Sequence, residues 1–249
     1  MNNSFAYCSV SISPVRKQHA DDSEMISQLL FGEPITISNK SCNWIFITSH
    51  FDNYSGWVDE KQISYLSQAE FTSWCSSFVI QQKKRLEINS AIGKQLIYGG
   101  SFIGAENKFK IGTRIFELNG KGLENTLSPI SNIKKYVNAP YLWGGKTESG
   151  IDCSGLSQLY FKLKNIPLQR DASQQINTGK LIEYNKHKKG DLAFFKNTIG
   201  KVIHVGIVIE KNKIIHASGR VRIDLLDAKG IFNNETNSYS HALYQIKRI

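Results

Sequence analysis

No run of about eighteen consecutive apolar residues occurs in this chain, so no helical membrane span is expected. The N-terminal MNNSFAYCSVSISPVRKQ lacks the basic n-region of a secretory signal, and its apolar residues alternate with serine ahead of Pro14. Cys8 likewise lacks the preceding apolar run of a lipoprotein signal, and the expectation is a cytoplasmic protein. Cysteine is scarce: Cys8, Cys42, Cys75 and Cys153 form no C-x-x-C pair, which argues against a zinc knuckle and against a disulfide framework. The glycines Gly144, Gly145 and Gly150 are not followed by Gly-Lys-Ser/Thr, so their loop is expected to bend rather than to cradle phosphate. Basic residues exceed acidic ones, 31 to 21, but their runs are short, such as Lys83-Lys84-Arg85 and Lys188-Lys189. Neither run is interleaved with aromatics as a single-strand platform would be, so they read as solvated surface and no nucleic-acid partner is expected.

With 249 residues, 41% hydrophobic and 21% charged, the chain has room for one full-sized domain and one or two small ones. Residues 1–66 read as short strands: the alternation of Tyr7 to Ser13, a turn at Pro14 and Val15, then Ile35 to Ile37, Trp44 to Ile47 and Gly56 to Val58. Such spacing predicts a small all-β barrel, with residues 24–33 as a loop holding a helical turn. Ser67 with Glu70 three residues on has the form of a capping box, predicting a linker helix. The glycine-cut apolar runs of residues 86–123 predict a second, degenerate barrel, giving a middle segment of residues 67–124. In residues 125–249, helices (one from Ile130 to Asn138) precede strands, which fits α+β.

The chemistry centres on APYLWGGKTESGIDCSGLSQLYF, residues 139–161. Leu156, Leu159, Tyr160 and Leu163 recur at the spacing of a buried helix face, which sets Cys153 at the helix start. There the helix dipole is expected to lower the thiol pKa from about 8.5 towards roughly 3.5–7.5. Downstream, His204 shares a strand face with Gly206 and Val208. A three-residue loop, or a bulge, before Lys213 sets Gly206 opposite His216 and makes the two histidines diagonal neighbours. His204 would take the Cys153 proton, giving a thiolate–imidazolium pair, while His216 fixes its tautomer. The Cys153 N–H and the Tyr141 hydroxyl are the candidate oxyanion donors. Zinc would also accept a Cys/His/His set, but no fourth ligand is evident, so no metal and no cofactor are expected.

Two resemblances add to this reading. P-V-R, Q-L-L-F-G-E, N-W-I-F-I and N-Y-S-G-W-V resemble a bacterial SH3-like domain. YLWGGKTESGIDCSGL, LQRDASQQ, GDLAFF, HVGIVI and IIHASGRVRID, in that order, resemble the NlpC/P60 cysteine peptidases. Within that family the chain is most similar to γ-D-glutamyl-L-diamino-acid endopeptidases. The resemblance implies a papain-like catalytic domain preceded by two SH3-like barrels, with Cys153 as nucleophile, His204 as base and His216 as orienting residue. It implies that Asp171, Ser154, Glu33 and Tyr54 hold the free amine of L-Ala-γ-D-Glu. The expected activity is cleavage of the γ-D-Glu–diamino-acid (Lys or diaminopimelate) amide of wall peptides during recycling, by a monomer with no membrane partner. The alternative is an inactive or acyl-transferring relative that binds wall peptides.

Overall fold

The computed structural model describes residues 4–120 and 128–249, which form two compact units, one on either side of residues 121–127. The boundary expected between residues 124 and 125 lies outside the described residues.

In the first unit β1 (Ser4–Cys8), β2 (Ile12–Arg16), β3 (Met25–Leu30), β4 (Pro34–Ser41), β5 (Trp44–Ser49), β6 (Ser55–Asp59) and β7 (Ile63–Leu66) build one antiparallel, barrel-like sheet in the order β3-β2-β6-β5-β4-β1-β7. Alternation supplies its core. Ala6 and Cys8, Ile35 and Ile37, and Ile45 and Ile47 are pairs two residues apart on one face, buried together with Val15, Leu29, Val58 and Ile63. Two expectations are corrected here. The stretch expected to be a loop with a helical turn is strand β3, whose polar Ser27 and Gln28 are buried beside Leu29 and Leu30 and so mask its alternation. Pro14, expected in a turn, lies inside β2; β6 pairs with β2 only through Arg16, so on that side Pro14 has no ladder bond to lose.

The capping box forms as the sequence predicts, opening α1 (Gln68–Ser77) with Ser67 and Glu70. Trp74 of that helix donates its indole N–H to the Gly32 carbonyl at 2.7 Å, fastening it to the barrel. Beyond it, β8 (Phe78–Ile80) pairs with β11 (Phe102–Gly104), while β9 (Arg85–Ser90), β10 (Gly93–Tyr98), β12 (Lys108–Ile111) and β13 (Arg114–Leu118) form a four-stranded sheet in the order β10-β9-β13-β12.

The second unit runs from helices to strands, as expected of α+β. Its elements are α2 (Pro129–Lys134), β14 (Lys146–Thr147), β15 (Gly150–Ile151), α3 (Cys153–Lys162), α4 (Ala172–Gln175), β16 (Lys180–Ile182), β17 (Leu192–Lys196), β18 (Val202–Glu210), β19 (Lys213–Ser218), β20 (Arg220–Leu226), β21 (Gly230–Asn233) and β22 (Ser238–Arg248). The helix expected to reach Asn138 ends at Lys134; Asn138, at φ 70°, takes the left-handed conformation that breaks a helix. The sheet order is β16-β22-β17-β18-β19-β20-β21, and β21 returns to pair with β22, closing six strands into a ring. The eleven-residue β22 makes this closure, its Ser238–Ala242 part along β21 and its Leu243–Lys247 part along β17. Inside lie Ala193, Phe195, Val208, Ile214, Leu226, Ile231 and Ile246. All ten residues of α3 are buried, and the helix rests against β18 and β19.

Candidate active site

Asp152 starts the site. It is the N-cap of α3, and its Oδ1 accepts from the Gly155 N–H at 2.6 Å, satisfying a donor that the first helical turn leaves open. Its Oδ2 accepts from the Gly144 N–H at 2.8 Å, which ties the preceding loop to the helix. Gly155 allows the close approach of that loop: a Cβ there would lie 2.4 Å from the Gly145 carbonyl oxygen. Arg170 closes the arrangement from the other side, with Nη1 on Oδ1 at 3.0 Å and Nη2 on Oδ2 at 2.6 Å. Cys153 therefore occupies the first position of a helix whose start is held by a buried carboxylate rather than by a loose polar loop.

The Cys153 sulfur accepts hydrogen bonds from the backbone N–H groups of Val205 and Ser154, which sets it beside β18 one residue past His204. Its charge also bears on Tyr141. The thiol is not acidic, contrary to expectation. Burial and the neighbouring Asp152 charge push its pKa up to about 12, against the weaker pull of the two N–H groups and Arg170. His204 moves the other way, held well below the usual imidazole range by burial and by the charges of His216 and His241. Removal from water thus favours the uncharged form of both side chains, a thiol and a neutral imidazole.

The strand register behaves as the sequence predicts: Gly206 stands opposite His216. The connection is a two-residue turn with a bulge between Val208 and Glu210 rather than a three-residue loop, and either gives the same parity. Gly206 makes room for His216, since a Cβ there would come within 2.9 Å of the His216 Cβ and 2.6 Å of Ile214 Cδ1. His204 Nε2 meets His216 Nδ1 at 2.9 Å, with both rings buried. His216 Nε2 in turn meets Asp224 Oδ2 at 2.9 Å.

The other predicted residues divide. Ser154 is buried, its hydroxyl donating to Asp152 Oδ1 at 3.2 Å and accepting from Arg170 Nη1 at 2.9 Å. Asp171 precedes α4 and is half-buried, its N–H donating to Gln174 Oε1 at 3.1 Å. Tyr141 is half-buried and pairs with Ile151; burial, then the charges of Cys153 and Asp152, push its pKa up to about 12, so the hydroxyl keeps its proton. In the first unit Glu33 is buried between β3 and β4, accepting from the Leu30 N–H at 3.1 Å and the Ser49 hydroxyl at 2.9 Å, and Tyr54 is half-buried ahead of β6.

Sequence reasoning missed Asp152 as the cap, Arg170 as its partner, and Asp224, Arg222 and His241 around the histidines. An aspartate directly before a helix is an N-cap signal, and extending the register through Gly219 would have set Arg222 opposite His216. His241, stacked on His204 with centroids 4.2 Å apart, comes from β22 and leaves no local signal.

Comparison with known proteins bears on both units. The NlpC/P60 family model matches residues 138–240, which carry Cys153, His204, His216 and Asp224, and the model for the bacterial dipeptidyl-peptidase SH3 domain matches residues 15–63. A probable endopeptidase of Haemophilus influenzae is 35% identical over 118 residues, 46% of this chain and 69% of that protein. The chain belongs to the NlpC/P60 family. Another member, named gamma-D-glutamyl-L-lysine dipeptidyl-peptidase, from Bacillus cereus, is 27% identical over 221 residues, 77% of this chain and 66% of its own length. The crystal structure of an NlpC/P60 protein from Bacillus cereus has the same fold, with a TM-score of 0.78 at 20% identity over 98% of this chain and 99% of that one. NlpC/P60 folding thus accounts for the second unit, and an SH3-like domain for the first barrel.

Proposed function

We propose that this chain is a cysteine peptidase that hydrolyses the amide between γ-D-Glu and Lys or diaminopimelate in peptidoglycan stem peptides with a free N-terminal L-Ala. The observation that carries the reading is the linked His204–His216 pair, with the Cys153 sulfur against the backbone of Val205, the residue after His204. As the sulfur attacks the amide carbonyl, its proton passes to the ring nitrogen of His204 that His216 does not engage. The oxyanion takes hydrogen bonds from the first-turn N–H of Cys153 and the Tyr141 hydroxyl. His204 then protonates the leaving amine, and water, with His204 as base, releases the γ-glutamyl group from the thioester.

Asp171 and Ser154 are read as the holders of the substrate ammonium, since a carboxylate favours an unblocked amine. A small free-amine peptide fits recycling of wall fragments in the cytoplasm by a monomer, and the sheet of residues 85–118 is read as a second SH3-like module. The name of the Bacillus cereus relative supports the choice of substrate.

The test is release of free lysine from L-Ala-γ-D-Glu-L-Lys and from its N-acetyl form. Cleavage of the free peptide alone is expected, and Cys153→Ala should cleave neither. Equal cleavage of both removes the amine-binding role. Cleavage of neither by the intact protein removes the peptidase reading.

A further inference from the structure

The hydrogen-bond chain of the site does not stop at His216. Asp224 is buried behind it, and Arg222 grips the carboxylate with Nε on Oδ2 at 2.6 Å and Nη2 on Oδ1 at 3.0 Å. Arg222 is itself held, by Asn233 Oδ1 at 2.8 Å and Glu235 Oε2 at 3.1 Å. A carboxylate forked by a guanidinium is ionised and has only lone pairs to offer. The proton shared with His216 must then sit on His216 Nε2, because a bare ring nitrogen facing that carboxylate at 2.9 Å would set acceptor against acceptor.

This fixes both rings in series. A neutral imidazole protonated at Nε2 carries a lone pair at Nδ1, so the 2.9 Å contact to His204 must be made by a proton on His204 Nε2. His204 is then left with an unprotonated Nδ1. If His216 instead held a proton on each nitrogen, His204 Nε2 would have to accept, its own proton would move to Nδ1, and it could take none from a thiol.

The geometry points to Asp224, held by Arg222, as a positioning residue that sets the tautomers of His216 and His204 and so leaves His204 Nδ1 as the open base of the site. Asp224 acts through two rings and touches no reacting atom. When the Cys153 S–H bond breaks and an N–H bond forms at His204 Nδ1, the imidazolium keeps its Nε2–H on His216, and the Asp224 charge lies at the far end of the same line. The kinetic consequence rests on the peptidase reading, whereas the tautomers do not.

The experiment is ¹⁵N NMR of histidine-labelled full-length protein at neutral pH, with kinetics on Asp224→Leu and Asp224→Glu. In the native protein His204 and His216 are both expected to carry the proton at Nε2. In Asp224→Leu nothing accepts from His216 Nε2, so the Nε2–H tautomers are no longer held and both rings should populate Nδ1–H. The kcat should then fall about 10²- to 10⁴-fold, with KM changed by less than about twofold. Asp224→Glu restores the acceptor and should recover part of the loss. A native His204 protonated at Nδ1 overturns the proposal, as does a folded Asp224→Leu protein with native tautomers and native kcat. Should Asp224→Leu fail to fold, or no peptide be cleaved, the native spectrum alone decides.

Discussion

The guanidinium of Arg170 and the carboxylate of Asp152 form a two-point ion pair directly ahead of Cys153, with side chains only 1% and 5% exposed. Arg170→Met should leave the Asp152 charge buried and unmatched, lowering stability by about 3–5 kcal/mol. Adding Asp152→Asn to Arg170→Met should return a large part of that loss, because no buried charge then remains. Urea unfolding of the three proteins is the measurement, and equal stability of the single variant and the native protein would contradict the pairing.

Gly206→Ala tests whether the histidine pair depends on an empty position between the strands. The added methyl would meet Ile214 Cδ1 at 2.6 Å and His216 Cβ at 2.9 Å, so His216 must move. Overpacking of this kind costs about 1–3 kcal/mol, while a shift approaching 1 Å at a catalytic group costs about 10²-fold in rate. Activity should therefore fall by far more than chemical denaturation alone would explain.

The resting state of Cys153 can be read from its alkylation. Because burial and the Asp152 charge push the thiol up to about 12, the iodoacetamide rate at Cys153 in the free protein should climb steadily with pH above 7. Mass spectrometry keeps the reading on Cys153 and apart from the exposed Cys42. A rate plateau from weakly acidic pH to 8 would mean that the thiolate–imidazolium pair exists before substrate arrives.

Beside His204, His241 carries part of the acid sensitivity of the fold. Burial, then the charge of His216, bring it down to about 4, and His204, His216 and Asp224 are the titratable groups around it. Between pH 6.5 and 4 the unfolded chain binds the proton and the folded one does not, so stability is lost as pH falls through that window and is unaffected above it. The loss from this partly exposed ring is on the order of 1–3 kcal/mol. His241→Gln should make the thermal stability profile between those pH values less steep, leaving the share carried by His204, and an unchanged profile would exclude the His241 ring as a source.

The parts of the molecule legible in the sequence are those fixed by short-range rules. Ser67 and Glu70 announce their helix because a capping box is complete within four residues. The facing of Gly206 and His216 follows from strand parity, which a bulge and an odd loop satisfy alike. Strand β3 was hidden because Ser27 and Gln28 are buried where alternation wants apolar side chains. The Cys153 acidity was misjudged for a different reason: a helix start is visible in sequence, but the depth at which it is buried is not. Asp224 and His241 join the site through β20 and β22, and only the sheet topology brings them there.

Strand β22 binds residues near positions 180, 192 and 230 at once. During synthesis these earlier strands all leave the ribosome before the segment that joins them, so the ring cannot close while residues 238–248 are still unmade. Until then its apolar lining stays open to solvent and to other nascent chains, and a frameshift or stop codon shortly before Ser238 would yield an aggregation-prone fragment rather than a weakened hydrolase.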